Sequence, residues 1–578
     1  MKILNNIVVV LFLLSNFSGF GQSKIKVVEN RSKVVQLRGV DIYAVNKMSD
    51  GGLLFLNKKI TRYGVISGPG KLTYLSKLAS NMKDKKEKQL PLQYQNKRIN
   101  YVDLKKIGTK YLLFFTFLNT KLKKDMMFFV QIDPTDLTWY GKPYYLADIP
   151  YKGKKGYAQG YFSISLSENN KFIIVTGINP TSIKRAKGGF VSRRASLTND
   201  DKIIRSFSFW LLDENLSVVN HRRDFTIESK KGASLYMKRF KCDKVGNVYI
   251  VAENVTRRVS SKTTVSLTGK KKKKTVAKMS NTSYNIFKLG LTEEDELEFE
   301  SDENLFLVDL NIGFSPDGKY VDAVGILYDE VTGIEVATGV QNIRLLKKDF
   351  TEESSTSTLF QTDFLKKINS TQIKGAKKVL NKKKSKKTKN AAKEKIKFYE
   401  NGITNLSSVN EVVYNNDGEV SVIMEKQWLE VITVTTTNVN AKTGQVSTTT
   451  TTYYVWHYGD VVMIAGLGNE DNEPLMDFIP KNDYSLIKYS TGINIDTDQK
   501  DWFIFGKSQL YKIDSETLKQ TSYKISTKSN SGGSRMRGAS TGYSNSIFTD
   551  TYNLGDKEFV GVQLKSRKKM IVVRLTAS

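Results

Sequence analysis

Residues Asn311 to Tyr328, NIGFSPDGKYVDAVGILY, constrain the fold more than any other stretch of the chain. A polar turn, Ser315-Pro316-Asp317-Gly318, runs directly into a half-apolar segment ending in Ile326 and Leu327. Asp-Gly supplies the positive backbone angle that a tight turn needs, and Pro316 restricts the entry, so two antiparallel strands are expected here. The pattern recurs in weaker form: SLSENNKFIIVTG at 165–177, CDKVGNVYIVAE at 242–253, YNNDGEVSVIME at 414–425 and NLGDKEFVGVQL at 553–564. Each places Asn, Asp or Gly in a turn ahead of a β-branched or aromatic run. Such recurrence predicts a repeat architecture built from hairpins.

FSPDGKY resembles the blade motif of TolB-type and WD40-like β-propellers. The resemblance implies four-stranded blades and a protein-interaction role, and it transfers no catalytic residue. Strand-like runs then divide the chain into blade-sized units. They are LLFL with KLTYL; TKYLLFFTFLN with MMFFVQID; KFIIVTGI with SFSFWLLD; NVYIVAENV with YNIFKLGL; the central motif with IEVATGVQNIRLL; EVSVIMEKQW with TYYVWHY; WFIFG with QLYKID; and EFVGVQL with MIVVRL. A second echo supports the division: an apolar-Asp pair followed by Leu, as in Asp133 with Leu137, Asp213 with Leu216 and Asp514 with Leu518, is expected to start an outermost strand. The last unit lacks a fourth strand, whereas Ile25 to Leu37 is a strand pair without a blade. Pairing the two would close the ring and remove both exposed edges. The expectation is an all-β propeller of about eight four-stranded blades, with seven as the alternative, closed by the N-terminal strand. Two unrelated β-sandwiches would leave the evenly spaced turns unexplained.

The start of the chain has the layout of a secretory signal peptide over residues 1–22: Lys2, an apolar stretch from Ile7 to Leu14, then Ser18-Gly19-Phe20-Gly21-Gln22. No cysteine follows the apolar stretch, which argues against a lipid-modified N-terminus, and no later stretch reads as a transmembrane helix. Residues 23–578 are then an exported propeller, periplasmic, outer-membrane-associated or extracellular. With Cys242 as the single cysteine, no intramolecular disulfide can form, so stability rests on burial. His221 and His457 are the only histidines, which leaves no HExxH motif and no Cys/His zinc spacing. No GxSxG, Walker A or complete GxGxxG is present. Asn494, Asp496 and Asp498 alternate like the start of a calcium loop, but Gln499 and Phe505 stand where its glycine and terminal glutamate belong, so a polar turn is expected. No catalytic residue, metal ligand or cofactor is assigned.

The net charge of +32 concentrates in three insertions. Residues 181–199 carry Lys184, Arg185, Lys187, Arg193 and Arg194; residues 257–278 carry Lys270, Lys271, Lys272, Lys273 and Lys274. Residues 365–397 carry Lys377, Lys378, Lys382, Lys383, Lys384, Lys386, Lys387 and Lys389, with few acids. Such runs repel themselves and show no sustained apolar period, so solvated or disordered loops are expected. A Thr-rich β-arm at 429–458 turns at Ala441-Lys442-Thr443-Gly444, with Tyr453, Tyr454, Trp456 and Tyr458 where it meets the body. In a four-stranded meander the second-to-third hairpin and the interblade link share one end. The insertions and the arm should therefore share one face. The turns bearing Asp50, Asp133, Asp213, Asp317, Asp417 and Asp514, with Glu293 to Glu296, should occupy the other.

Clustered lysines attract polyanions. Export and the lack of interleaved aromatics argue against nucleic acid. The sequence therefore points to a non-catalytic binding or scaffolding platform whose basic face meets an envelope protein, an acidic polysaccharide or a lipid surface. The alternative is a carbohydrate-active enzyme with its site in the central funnel, which aromatics and paired acids converging there would favour. Nothing in the sequence sets the oligomeric state.

Overall fold

The computed structural model describes residues 27–31, 40–59, 72–151, 160–180, 182–184, 202–265, 271–290, 293–300, 306–331, 334–382, 384–415, 417–439, 446–469, 472–485, 493–497, 500–506, 509–525, 550–566 and 569–577. The fold is an eight-bladed β-propeller. In the first seven blades four strands form an antiparallel meander, as in blade 5 with Phe306–Phe314, Tyr320–Val331, Ile334–Leu346 and Glu352–Leu359, and blade 3 inserts the short strand Ser182–Lys184 between its second and third. Blade 8 takes three strands from the C-terminal end, Asp550–Gly555, Glu558–Ser566 and Lys569–Ala577. Its fourth is Val27–Arg31, whose register runs from Val27 opposite Ala577 to Arg31 opposite Val573. The ring is thus closed by the N-terminal strand, and Tyr523 of blade 7 bonds Glu29 at 3.2 Å across the seam.

Eight buried apolar clusters lie between the blades. Leu54 and Leu56 of blade 1 pack with Leu113 and Phe115 of blade 2, and the series continues to Ile42 and Phe55 of blade 1 against Val560 and Val572 of blade 8. Because neighbouring blades cover both faces of each middle strand, those strands read as continuous apolar runs instead of alternating ones. Lys110–Asn119 buries seven consecutive residues in this way. The outermost strands have one open edge and are the polar ones, as in the wholly exposed Lys85–Gln89.

The repeated turn owes its shape to side chains that mimic backbone partners. The Ser315 hydroxyl accepts from the Tyr320 N–H at 2.8 Å and donates to Asp317 at 2.6 Å, while Gly318 takes φ 73°. The second echo is also a turn. Leu137, Leu216 and Leu518 adopt φ 64°, 69° and 52°, each donating its N–H to the carbonyl of Asp133, Asp213 or Asp514. A leucine tolerates that strained conformation because its side chain plugs an interblade core; Leu137 and Leu518 are buried.

Two expectations about the insertions fail. Of residues 257–278, 257–265 and 271–278 are strand, not loop: Val248–Val265 and Lys271–Leu289 run as one ladder in which Lys262 faces Lys274 and Val265 faces Lys271. The hairpin continues strands already held in the blade, and its Thr and Val residues have high strand propensity. Lys270 lies outside the described residues. Residues 365–397 are not a loop either. They belong to three helices, Thr362–Ile368, Ser370–Leu380 and Lys386–Asn401, which cap the link between blades 5 and 6. Each helix is too short to show a sustained period in sequence, but each buries a few apolar residues. Phe364, Leu365 and Ile368 of the first join the core between blades 5 and 6, and Ile373, Ala376, Ala392 and Phe398 are buried in the other two. Buried Asn369 ties the cap together by donating to the carbonyls of Tyr399 at 2.8 Å and Gly402 at 3.0 Å. Of residues 181–199, Ser182–Lys184 forms a short strand on Lys202–Ile204; Arg185, Arg193 and Arg194 lie outside the described residues. Asn494–Thr497 is the first strand of blade 7, not a turn.

Candidate functional site

Strand alternation gives the disk two unlike faces. Among the described strands, the ends that lead into the interblade links and the second-to-third hairpins share one face, the arm face, and the ends that lead into the first-to-second and third-to-fourth turns share the other, the turn face. The turn face is acidic and locally satisfied. Asp50 accepts from the Gly52 N–H at 2.8 Å and meets Lys77 at 3.1 Å, and the Gly52 N–H is the main reason its carboxyl lies below the usual range. Asp317 is lowered chiefly by the Ser315 hydroxyl, and Asp349 by that of Thr351.

The arm face carries three projections over blades 4 to 6. In the lysine arm, blade 4 pairing to the neighbouring strands ends at Val255 and Ser283. Beyond them Thr256–Val265 pairs with Lys271–Ser280 alone among the described residues. In the threonine arm of blade 6, Val420–Val439 and Val446–Leu467 keep an unbroken register from Gln427 opposite Tyr458 out to Val439 opposite Val446. Between them sits the helical cap, where Lys382, Lys384, Lys386 and Lys387 are exposed; Lys383 lies outside the described residues. Ser385 caps the third helix by accepting from the Thr388 N–H. At the base of the threonine arm Tyr458 is buried under the Lys481 ammonium. Tyr454, by contrast, is 57% exposed, so the aromatics there are not all packing residues. His457 stacks on Trp428 at 4.7 Å and bonds Glu430 at 2.8 Å, whereas His221 is exposed on an outer strand.

The central channel is lined by the first strands of the blades, most of which touch their neighbours in the ring. Five of these strands carry a bulge or irregularity at similar depth, leaving Tyr43, Val102, Lys238, Asp309 with Leu310, and Asn410 out of the ladder. Bulges re-aim side chains and leave no clear mark in sequence, so these residues were not legible as a group. Asp309, with φ 52°, accepts from Arg239 at 3.0 Å and from the Val409 N–H at 2.8 Å. Lys238 bridges Glu253 at 3.0 Å and Asp309 at 3.8 Å, and Glu253 also accepts from the buried Tyr284 hydroxyl at 2.6 Å. Lys241 donates to the Ile312 carbonyl at 2.8 Å and faces Glu411 at 3.6 Å. Three bases thus answer three acids and brace blades 4, 5 and 6. Exposed tyrosines Tyr43, Tyr161 and Tyr236 sit near the arm-face ends of three inner strands. Among the described residues no group of His, Cys, Asp and Glu is arranged to hold a metal ion, and no helix is long and apolar enough to cross a membrane.

No protein-family model and no curated protein matches the chain. Solved structures similar to it include polysaccharide lyase Uly1, at 10% identity, covering 96% of this chain and 99% of that one, with a TM-score of 0.36. Another is the β-propeller domain of the Trilobed protease from Pyrococcus furiosus, at 10% identity, covering 85% and 97%, with a TM-score of 0.28. A third is an oligogalacturonate lyase in complex with manganese, at 8% identity, covering 95% and 98%, with a TM-score of 0.29. Superpositions this loose say nothing of chemistry, and the eight-bladed assignment rests on the strand pairing itself.

Proposed function

We propose that this chain is an exported, non-catalytic propeller serving as a binding or scaffolding platform in the bacterial envelope, with its arm face turned to an anionic partner. The observation that carries this reading is the segregation of charge. The lysine arm and the lysine-rich cap leave the disk on one side, and the self-satisfied aspartate turns occupy the other. Because the cap is packed into the core between blades 5 and 6, its exposed lysines ride on a fixed support and not on a loop. The channel bases and acids answer one another, which favours a brace over a poised acid and base.

A salt series of retention on acidic-polysaccharide and anionic-liposome matrices tests the reading. Neutralising Lys271–Lys274 should weaken retention modestly, and neutralising Lys382–Lys387 as well should weaken it severely, since each exposed pair contributes at most about 1 kcal/mol. Retention that ignores both salt and the replacements would rule out the basic face. The tyrosines at the channel mouth favour a second reading, a saccharide held at the funnel. Polysaccharide chain shortening by the purified protein, lost on replacing Tyr43 and Tyr161, would support it.

A further inference from the structure

The threonine arm bears no part of the basic character of its face. From Val431 to Val455 the only charged residue is Lys442, in its turn. It exposes apolar side chains instead: Leu429, Val431, Ile432, Val446 and Tyr454 are all open to solvent. Its inward edge is also open. Pairing with Leu406–Tyr414 stops at Lys426, and from Trp428 to Val439 the strand pairs only with Val446–His457 among the described residues. A long, neutral, β-prone strand with an unpaired edge is a template for another strand, and lysines on an edge are the usual protection against that. The lysine arm, of the same construction two blades away, has such lysines and the threonine arm does not.

We infer that the threonine arm is a homotypic docking element, in which the open edge of Val431–Val439 pairs antiparallel with the same strand of a second copy. A polyanion selected by the rest of the face finds nothing to grip on this arm, whereas a second copy offers an edge of equal length and equal neutrality. When two disks meet arm face to arm face, a two-fold axis makes the identical strands antiparallel and the contact self-complementary. At about 3.4 Å per residue, Trp428 to Val439 extends roughly 35 Å from the body. The Debye length is about 30 Å at 0.01 M salt and about 8 Å at 0.15 M, so two strongly basic bodies held that far apart repel at low salt and are screened as salt is raised. Salt should therefore strengthen this association, opposite in sign to binding of a polyanion by lysines.

The test is sedimentation velocity of the full chain over a concentration series at low and high salt. A dimer that tightens with salt is expected. Val431→Lys with Ile432→Lys, one on each face of the arm, should raise the dimer dissociation constant at least about tenfold, or 1.4 kcal/mol. Val245→Lys, at an exposed valine on the turn face, should leave the constant unchanged. Thermal melting of all three proteins confirms that the blades are intact, and a peptide of residues 429–439 should compete. A chain that stays monomeric throughout, a dimer loosened by salt, or one indifferent to the arm charges would each overturn the inference.

Discussion

The lysine arm and the threonine arm are the same device with different surfaces. Both arise where the second and third strands of a blade outrun their neighbours, and both stand on the same face, flanking blade 5. Neither needs a core of its own, because the ladder is nucleated inside the blade and extends by adding one paired residue after another. What differs is what a long open edge can meet. On the readings proposed above, lysines along one ribbon would repel a second strand and attract anions, and the nearly uncharged edge of the other would admit a strand. Blade geometry thus provides reach, and side-chain charge decides what the reach is for.

The largest effect that could sharpen this comparison lies outside both arms. Phe364 anchors the helical cap in the core against Phe360 and Phe478, so Phe364→Ala should destabilise the protein by about 3–5 kcal/mol, read from denaturant unfolding. Excising 258–278 or 430–454 and closing each with a short turn should shift the melting temperature little, since neither ribbon buries a core and loop closure depends weakly on length. A large loss on excising either would show that the arms are packed parts of the disk. Next in size is polyanion retention: loss of the lysine arm together with the cap lysines should reduce it severely, while loss of the threonine arm should not reduce it at all. Equal losses would erase the distinction. A smaller effect is a gain. Replacing Lys271–Lys274 with threonine should confer salt-strengthened self-association on a chain whose threonine arm carries the two lysine substitutions. The smallest concerns the arm base, where His457→Gln removes the pairing of a half-buried imidazole with the exposed Glu430 and should speed amide exchange of the arm by an amount worth about 1 kcal/mol or less.

Much of the architecture was legible because it is local. Asp-Gly turns, the Asp-to-Leu turn at Leu137, Leu216 and Leu518, and doubly buried middle strands each leave a pattern within a dozen residues. The unassigned strand near the N-terminus and the C-terminal unit read with three strands likewise pointed to each other, and Val27–Arg31 pairs there. Charge runs were read with less success. The segment around Lys270–Lys274 read as solvated yet continues a ladder, and that around Lys382–Lys387 read as structureless yet belongs to a capped helix pair. In both cases the stabilising partner lies elsewhere: strands already paired in blade 4, and a hydrophobic seat between blades 5 and 6.

By itself, then, the sequence determined the blade as a unit, its repetition and the alternation that separates arm face from turn face, since these follow from turn chemistry and period. Only the tertiary structure decided which channel acids meet which bases, which first strands bulge, and that lysine-rich segments become ribbon and helix. Asp309 reaches Arg239 from 70 residues away and the Val409 N–H from 100, and no local pattern encodes such distances. Those contacts exist because ring closure brings the inner strands together, and the free energy that shapes them comes from burial shared between blades.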